Sequence, residues 1–308
     1  MIAHRNILKD LGRVIFWFPL RWFVNLAPFS FVYRIGGILG YVDYLFSGPK
    51  RRDKMAKNIS RVFSGDPKQF RKIIINNLKT HCRNVLEFIK YSQLRQDNLS
   101  DLLSFEGLDF LDRELAKGKG VVLATGHFGA KQLLQLGLGY RGYKVSQVHY
   151  HMSRDELTFI QKKVSQRQRI KIEEKIPVKF IGASGFLRPA YTSLKQNQVL
   201  IIAADGVGLP EHMKKGYSPF PFLGKRMLFP INVASLAIRT GASIVPAFVI
   251  REGIQHQLVI EPAIEVGARS SEEIVGDFVE ILEKYVQRYP HLWEFWEEFD
   301  EDTLITSR

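Results

Sequence analysis

Val121-Val122-Leu123-Ala124-Thr125-Gly126-His127-Phe128-Gly129-Ala130 is the stretch on which the fold turns. The first five residues form a short, uninterrupted apolar and β-branched run, the pattern of a strand buried on both faces. A helix-like segment carrying Gln132 follows the glycines at once. An imidazole at the end of a buried strand, with small glycines on either side, is accessible to a hydroxyl and placed to remove its proton. His127 therefore reads as a general base. Five positions later, where a carboxylate would hold the ring and stabilise its charged form, the sequence has the neutral amide of Gln132.

Outward from this turn, apolar runs at 144–150, 199–203, 244–250 and 257–260 predict further strands. Helical patterns near 130–140, 154–168, 185–196, 230–240 and 271–288 alternate with them. The alternation predicts an α/β fold with a mostly parallel central sheet flanked by helices. Ligands in such sheets collect at the carboxyl ends of strands, where Gly126 and His127 fall. Residues 51–110 read as a helical lead-in, with Ile73, Ile74, Leu78, Val85, Leu86 and Ile89 near helical spacing.

The 308 residues carry 44 Lys and Arg against 31 Asp and Glu, a formal charge of +13 that favours acidic partners. Nucleic acid is disfavoured, because the aromatics cluster apart from the Lys and Arg residues instead of interleaving with them. The single Cys82 excludes an internal disulfide and reads as a packed thiol. His149, His151 and His212 lack carboxylates at ligand spacing, so no metal site is expected.

From Val14 to Phe46 the chain is dense in aromatic and aliphatic residues, but Pro19, Arg21, Pro28, Arg34 and Asp43 interrupt it. No stretch reaches the roughly 18 to 20 apolar residues that spanning needs. Arg5, Lys9 and Arg13 precede this region, and Lys50, Arg51, Arg52, Lys54 and Lys57 follow it. Residues 1–50 thus read as a helical, membrane-associating extension on an anionic surface, with residues 51–308 as the α/β domain. The alternative is a pair of core helices covering that domain.

Gly126-His127-Phe128-Gly129, taken with the blocks around it, resembles the lipid A late acyltransferases, the lauroyl and myristoyl transferases of the lysophospholipid acyltransferase superfamily. The supporting blocks are Arg51-Arg52 through Asn58-Ile59 to Asn84-Val85-Leu86-Glu87, and Arg188-Pro189-Ala190 through Gln198-Val199 to Ala204-Asp205. Pro221-Phe222-Leu223-Gly224 and Ala237-Ile238-Arg239-Thr240-Gly241-Ala242 complete the series, and Tyr289 to Trp296 is similar to the family's aromatic ending. Glu297, Glu298, Asp300, Glu301 and Asp302 depart from the basic character expected after it.

The resemblance implies an O-acyltransferase that moves a fatty acyl chain from a thioester to a hydroxyl of a lipid A-like glycolipid or related phospholipid. The co-substrate is acyl carrier protein or acyl-CoA, no bound cofactor is needed, and the place of work is the cytoplasmic face of the cell inner membrane. In the family a His separated by four residues from Asp or Glu deprotonates the acceptor; here these positions are His127 and Gln132. The second reading is a lipid-binding protein of the same fold that has lost catalysis with its acid.

No Asp or Glu occurs between Glu114 and Asp155, so a replacement acid must arrive by folding. Asp205 ends the apolar run 200–204 and would emerge on the same rim as His127; the competing reading is a turn carboxylate ahead of Gly206. Glu211 is the second choice. In this scheme Gln132 orients the ring, and Gly126 with neighbouring amides holds the developing oxyanion. Phe128 and Gly129 complete the substrate-binding turn, and Arg188 either binds a phosphate or lies on a solvated face. The basic run Lys162, Lys163, Arg167, Arg169 and Lys171 is a solvated helix face or a dock for an acidic carrier. Tyr217 to Phe222, with Gly224 after it, either lines an acyl slot or packs in the core.

Overall fold

The computed structural model describes residues 7–149, 158–182, 188–205 and 216–299. The helices are α1 (Ile7–Ile15), α2 (Arg21–Leu26), α3 (Phe29–Phe46), α4 (Pro49–Ser60), α5 (Pro67–Lys90), α6 (Gln96–Leu99), α7 (Leu108–Ala116), α8 (Lys131–Tyr140), α9 (Gln166–Glu173), α10 (Arg188–Lys195), α11 (Asn232–Thr240) and α12 (Ser271–Arg288). The strands are β1 (Leu103–Glu106), β2 (Val121–Thr125), β3 (Val145–His149), β4 (Val178–Gly182), β5 (Val199–Ala203), β6 (Tyr217–Phe222), β7 (Lys225–Pro230), β8 (Ser243–Glu252) and β9 (Gln255–Ile260).

A seven-stranded sheet runs in the order β1-β9-β8-β2-β5-β3-β4. Every neighbouring pair in it is parallel except β8 and β9, which form an antiparallel hairpin through Gly253. The expected α/β architecture is therefore present, and β2, at the centre, is buried along its whole length. Alternate residues of β2 feed two cores, as the two-residue period of a strand requires. Val122 and Ala124 join Phe248, Phe278 and Trp293 on one face, while Val121 and Leu123 join Leu133, Val145 and Leu258 on the other.

Local signals place the longer helices. Asp66 caps α5 by accepting from the Gln69 amide at 2.8 Å, with Pro67 at the first helical position. A reciprocal Ser270 and Glu273 capping box starts α12.

The structure corrects the sequence reading in several places. β1 and β4, the two edge strands of the sheet, have no counterpart among the expected strands. The stretch Tyr217–Phe222 is a strand of a separate antiparallel hairpin with β7, and Phe222 is fully buried against Phe229, Trp293 and Phe299. Phe222 belongs to the core. Gly224 supplies the left-handed turn of this hairpin at φ 73° with open space around it. In the 154–168 region, a π-helical turn at Gln161–Ser165 leads into α9, which runs on to Glu173.

The N-terminal segment packs on the α/β domain with one side and exposes large apolar side chains on the other. Its inner side packs on α5 so closely that a Cβ at Gly40 would come within 2.4 Å of the Lys79 Cα, and Trp17, Val24 and Val32 are buried. Its outer side leaves Trp22 71%, Leu26 88% and Phe46 85% exposed. Among the described residues no helix is long and apolar enough to cross a membrane.

Candidate active site

Parallel pairing of β2 with β5 sets Thr125 opposite Ala203. Two residues beyond each lie His127 and Asp205, so the register alone brings them to one rim. The His127 Nδ1 stands 2.7 Å from Asp205 Oδ1, and the His127 backbone amide donates to Asp205 Oδ2 at 2.6 Å. Asp205 is fully buried, whereas the His127 side chain keeps 29% exposure. A carboxylate facing Nδ1 fixes the proton there and leaves the Nε2 lone pair for a substrate. Gly126 makes room for this pair, since a Cβ on it would lie 3.0 Å from Asp205 Oδ2. Tyr217 stands near enough that burial and the Asp205 charge push its hydroxyl up to about 12.

The ring is held from other sides as well. Phe295 packs on it with ring centroids 4.6 Å apart, and the Glu294 amide donates to the His127 carbonyl at 2.9 Å. Gly129 has φ 57°, and a Cβ there would lie 1.8 Å from the Val249 carbonyl oxygen, so only glycine fits. Its amide donates to the Leu292 carbonyl at 2.8 Å. The amides of His127 and Gly129 are thus occupied, and neither is free to hold an oxyanion. Phe128 points the other way, fully buried against Phe248 and Tyr285.

Gln132 does not orient the imidazole, because Asp205 has taken the ring nitrogen that faces the protein. It lies instead on the wall of a cavity of about 740 Å³. Ala130 and Lys131, directly after the His127 loop, line the same cavity, with Phe16, Trp17, Val85, Phe88 and Tyr91 supplying its apolar wall. His127 is not among the lining residues; the cavity adjoins it through Lys131 and Glu294. Lys131 donates to Glu294 at 2.8 Å. Burial works against the charged form of Glu294, but Lys131, His127 and His81 outweigh it and hold its carboxyl below the usual range.

Arg188 is exposed at the first turn of α10. Arg169, one member of the basic run, pairs with Glu173 at the cavity wall, while Lys163, Arg167 and Lys171 face solvent. Cys82 is partly buried, and burial pushes its thiol up to about 11. Among the described residues no group of His, Cys, Asp and Glu forms a metal site. Glu211, His151, His212, Asp300, Glu301 and Asp302 lie outside the described residues. Glu297 is bonded to Arg51 at 2.7 Å, so part of the acidic ending serves to tie the C-terminal segment to α4. Glu294 and Lys131 escaped the sequence reading because nothing in their spacing links an aromatic ending to the start of α8.

The sequence pattern of the bacterial lipid A biosynthesis acyltransferases matches residues 5–297. The phosphatidylinositol mannoside acyltransferase of Mycobacterium tuberculosis is 23% identical over 248 residues, covering 78% of this chain and 74% of that protein. Among solved structures, the 1-acyl-sn-glycerophosphate acyltransferase PlsC of Thermotoga maritima aligns with a TM-score of 0.37 and 16% identity, over 83% of this chain and 94% of that one. With the match running through the His127 turn and nearly to the end of the chain, this protein is an acyltransferase and belongs to the bacterial lipid A biosynthesis acyltransferase family.

Proposed function

We propose that the protein transfers a fatty acyl chain from an acyl thioester, carried by acyl carrier protein or coenzyme A, to a hydroxyl of a lipid A-like glycolipid. The observation that carries this reading is the His127–Asp205 pair beside a cavity with an apolar wall. His127 Nε2 accepts the proton of the acceptor hydroxyl as its oxygen attacks the thioester carbonyl; the C–S bond then breaks, and the imidazolium returns the proton to the leaving thiolate. Asp205 holds the useful tautomer and stabilises the transient positive ring. The cavity volume lies within the usual range for a site that buries a sizeable ligand, roughly 300 to 1,000 Å³.

A glycosylated lipid acceptor accords with the family match and with the phosphatidylinositol mannoside relative. Work at the cytoplasmic face of the inner membrane accords with the exposed Trp22, Leu26 and Phe46 and with the cationic residues that flank this segment. The noncatalytic alternative rests on the lack of an acid at position 132, and Asp205 removes that ground.

Purified protein supplied with a radiolabelled acyl thioester and a lipid extract from a bacterium that makes lipid A is expected to yield a new, alkali-labile labelled lipid. His127→Ala is expected to abolish it. Labelled chain retained on the protein with no product would contradict the proposal.

A further inference from the structure

Helix α5 turns a row of polar side chains toward the body of the protein: Asn77, Thr80, Asn84 and Glu87 follow at three- and four-residue spacing, which puts them on one face. Asn77, Thr80 and Glu87 are buried, an arrangement that costs free energy unless each group is partnered. The Asn77 amide donates to the Trp293 carbonyl at 2.6 Å. Glu87 accepts two bonds from Arg251 of β8, at 2.5 and 2.8 Å, and both side chains are 3% exposed.

Asn84 connects this buried ion pair to the His127 loop. Its Oδ1 accepts from Arg251 Nη2, and its Nδ2 donates to the Gly129 carbonyl at 2.8 Å. The assignment of the two amide atoms follows from their partners, since a guanidinium only donates and a backbone carbonyl only accepts. Arg251, itself locked by Glu87, therefore dictates that the Asn84 NH2 group faces the loop. Gly129 is two residues past His127 and is the one point where the loop takes a left-handed backbone conformation. The loop is thus tied at His127 to Asp205 and at Gly129 to α5.

We propose that Asn84 is a positioning residue for the reaction: it holds the Gly129 carbonyl and so fixes the loop that presents His127 to Asp205, while Arg251 and Glu87 set the facing of its amide. The proposal rests on the reading of His127 as the general base. A base displaced by about 1 Å loses on the order of a hundredfold in rate.

Asn84→Asp separates positioning from packing. It keeps the size and the bond from Arg251 but turns an oxygen toward the Gly129 carbonyl, where two acceptors repel. The expected result is a kcat roughly 10- to 100-fold lower with a thermal midpoint within a few degrees of the parent's. Asn84→Ser, which keeps a donor, is expected to lose less activity than Asn84→Asp. The low-field proton signal of the His127 Nδ1–H, identified by its disappearance in His127→Ala, is expected to shift or broaden in Asn84→Asp.

An unchanged signal and unchanged kcat in Asn84→Asp, or a larger loss in Asn84→Ser than in Asn84→Asp, would overturn the proposal. The signal is read without substrate, so its shift in a protein that shows no transfer would count against the proposed reaction and leave the positioning role standing.

Discussion

His127 and Asp205 are 78 residues apart in the chain and 2.7 Å apart in the fold. Their meeting is a consequence of sheet register: each stands two residues beyond one member of the Thr125 and Ala203 pair on adjacent parallel strands. A carboxylate at 132 would reach the ring from the following helix, whereas Asp205 reaches it from the neighbouring strand. The local replacement by Gln132 is therefore compatible with a complete base and acid pair.

That relationship makes Gln132→Glu informative. The new carboxylate would sit on the cavity wall next to the Lys131–Glu294 pair, with the His127 Nδ1 already engaged. Turnover is expected to change by less than about tenfold, or about 1.4 kcal/mol in activation free energy. Steady-state rates with a saturating thioester donor check this, and a hundredfold rise would identify position 132 as a lost catalytic acid.

The cavity assignment predicts an effect of filling it. Val85, 37% exposed on α5, lines the apolar wall, and Val85→Trp places a large ring in the space without disturbing a buried position. The KM for the lipid substrate that uses this cavity is expected to rise at least about tenfold, consistent with loss of the burial energy of a few methylenes. Unchanged KM values for both donor and acceptor would place the lipid chains elsewhere.

Membrane contact is predicted to depend on the outer side of the N-terminal helices. Replacing Trp22, Leu26 and Phe46 together by Ser removes roughly 1.5 to 3 kcal/mol of burial for each large side chain that enters the lipid. Co-sedimentation with anionic vesicles is expected to fall sharply while the far-ultraviolet circular dichroism stays the same. Undiminished binding would locate the contact on another surface.

A pH dependence of stability follows from His256, buried beside the Arg251–Glu87 pair with its Nε2 3.7 Å from Glu87. Burial lowers its pKa from 6.5 to about 4, with the Glu87 charge opposing and the Arg251 charge adding to the effect. The unfolded chain takes up a proton below about 6.5 that the folded protein refuses until about 4. This residue's contribution is complete above pH 6.5 and is lost as the pH falls toward 4. Thermal midpoints measured across that range are expected to drop more steeply for the parent than for His256→Gln; parallel curves would show that His256 is not the group responsible.

Much of this could be read before the structure was known. The buried run of β2, the glycine turn and the alternation of strands and helices follow from local pattern, and the parallel sheet follows from them. Asp205 was legible as a candidate because strand ends share a rim, but choosing it over a turn carboxylate required the register. The burial of Phe128 and Phe222 could not be read locally, because an aromatic side chain next to a turn carries no mark of which way it points. Asn84, Glu294 and Arg251 were illegible as parts of one site, since their meaning lies in contacts between α5, β8 and the C-terminal segment.

The most direct test compares the acyl-transfer rates of Asp205→Asn and Gln132→Ala with the parent on the same thioester and lipid acceptor. An amide in place of the orienting acid of a serine protease costs about 10⁴ in turnover, and a loss of that order is expected for Asp205→Asn, with less than about tenfold for Gln132→Ala. Equal and small losses in the two variants would contradict the assignment of Asp205 as the partner of His127.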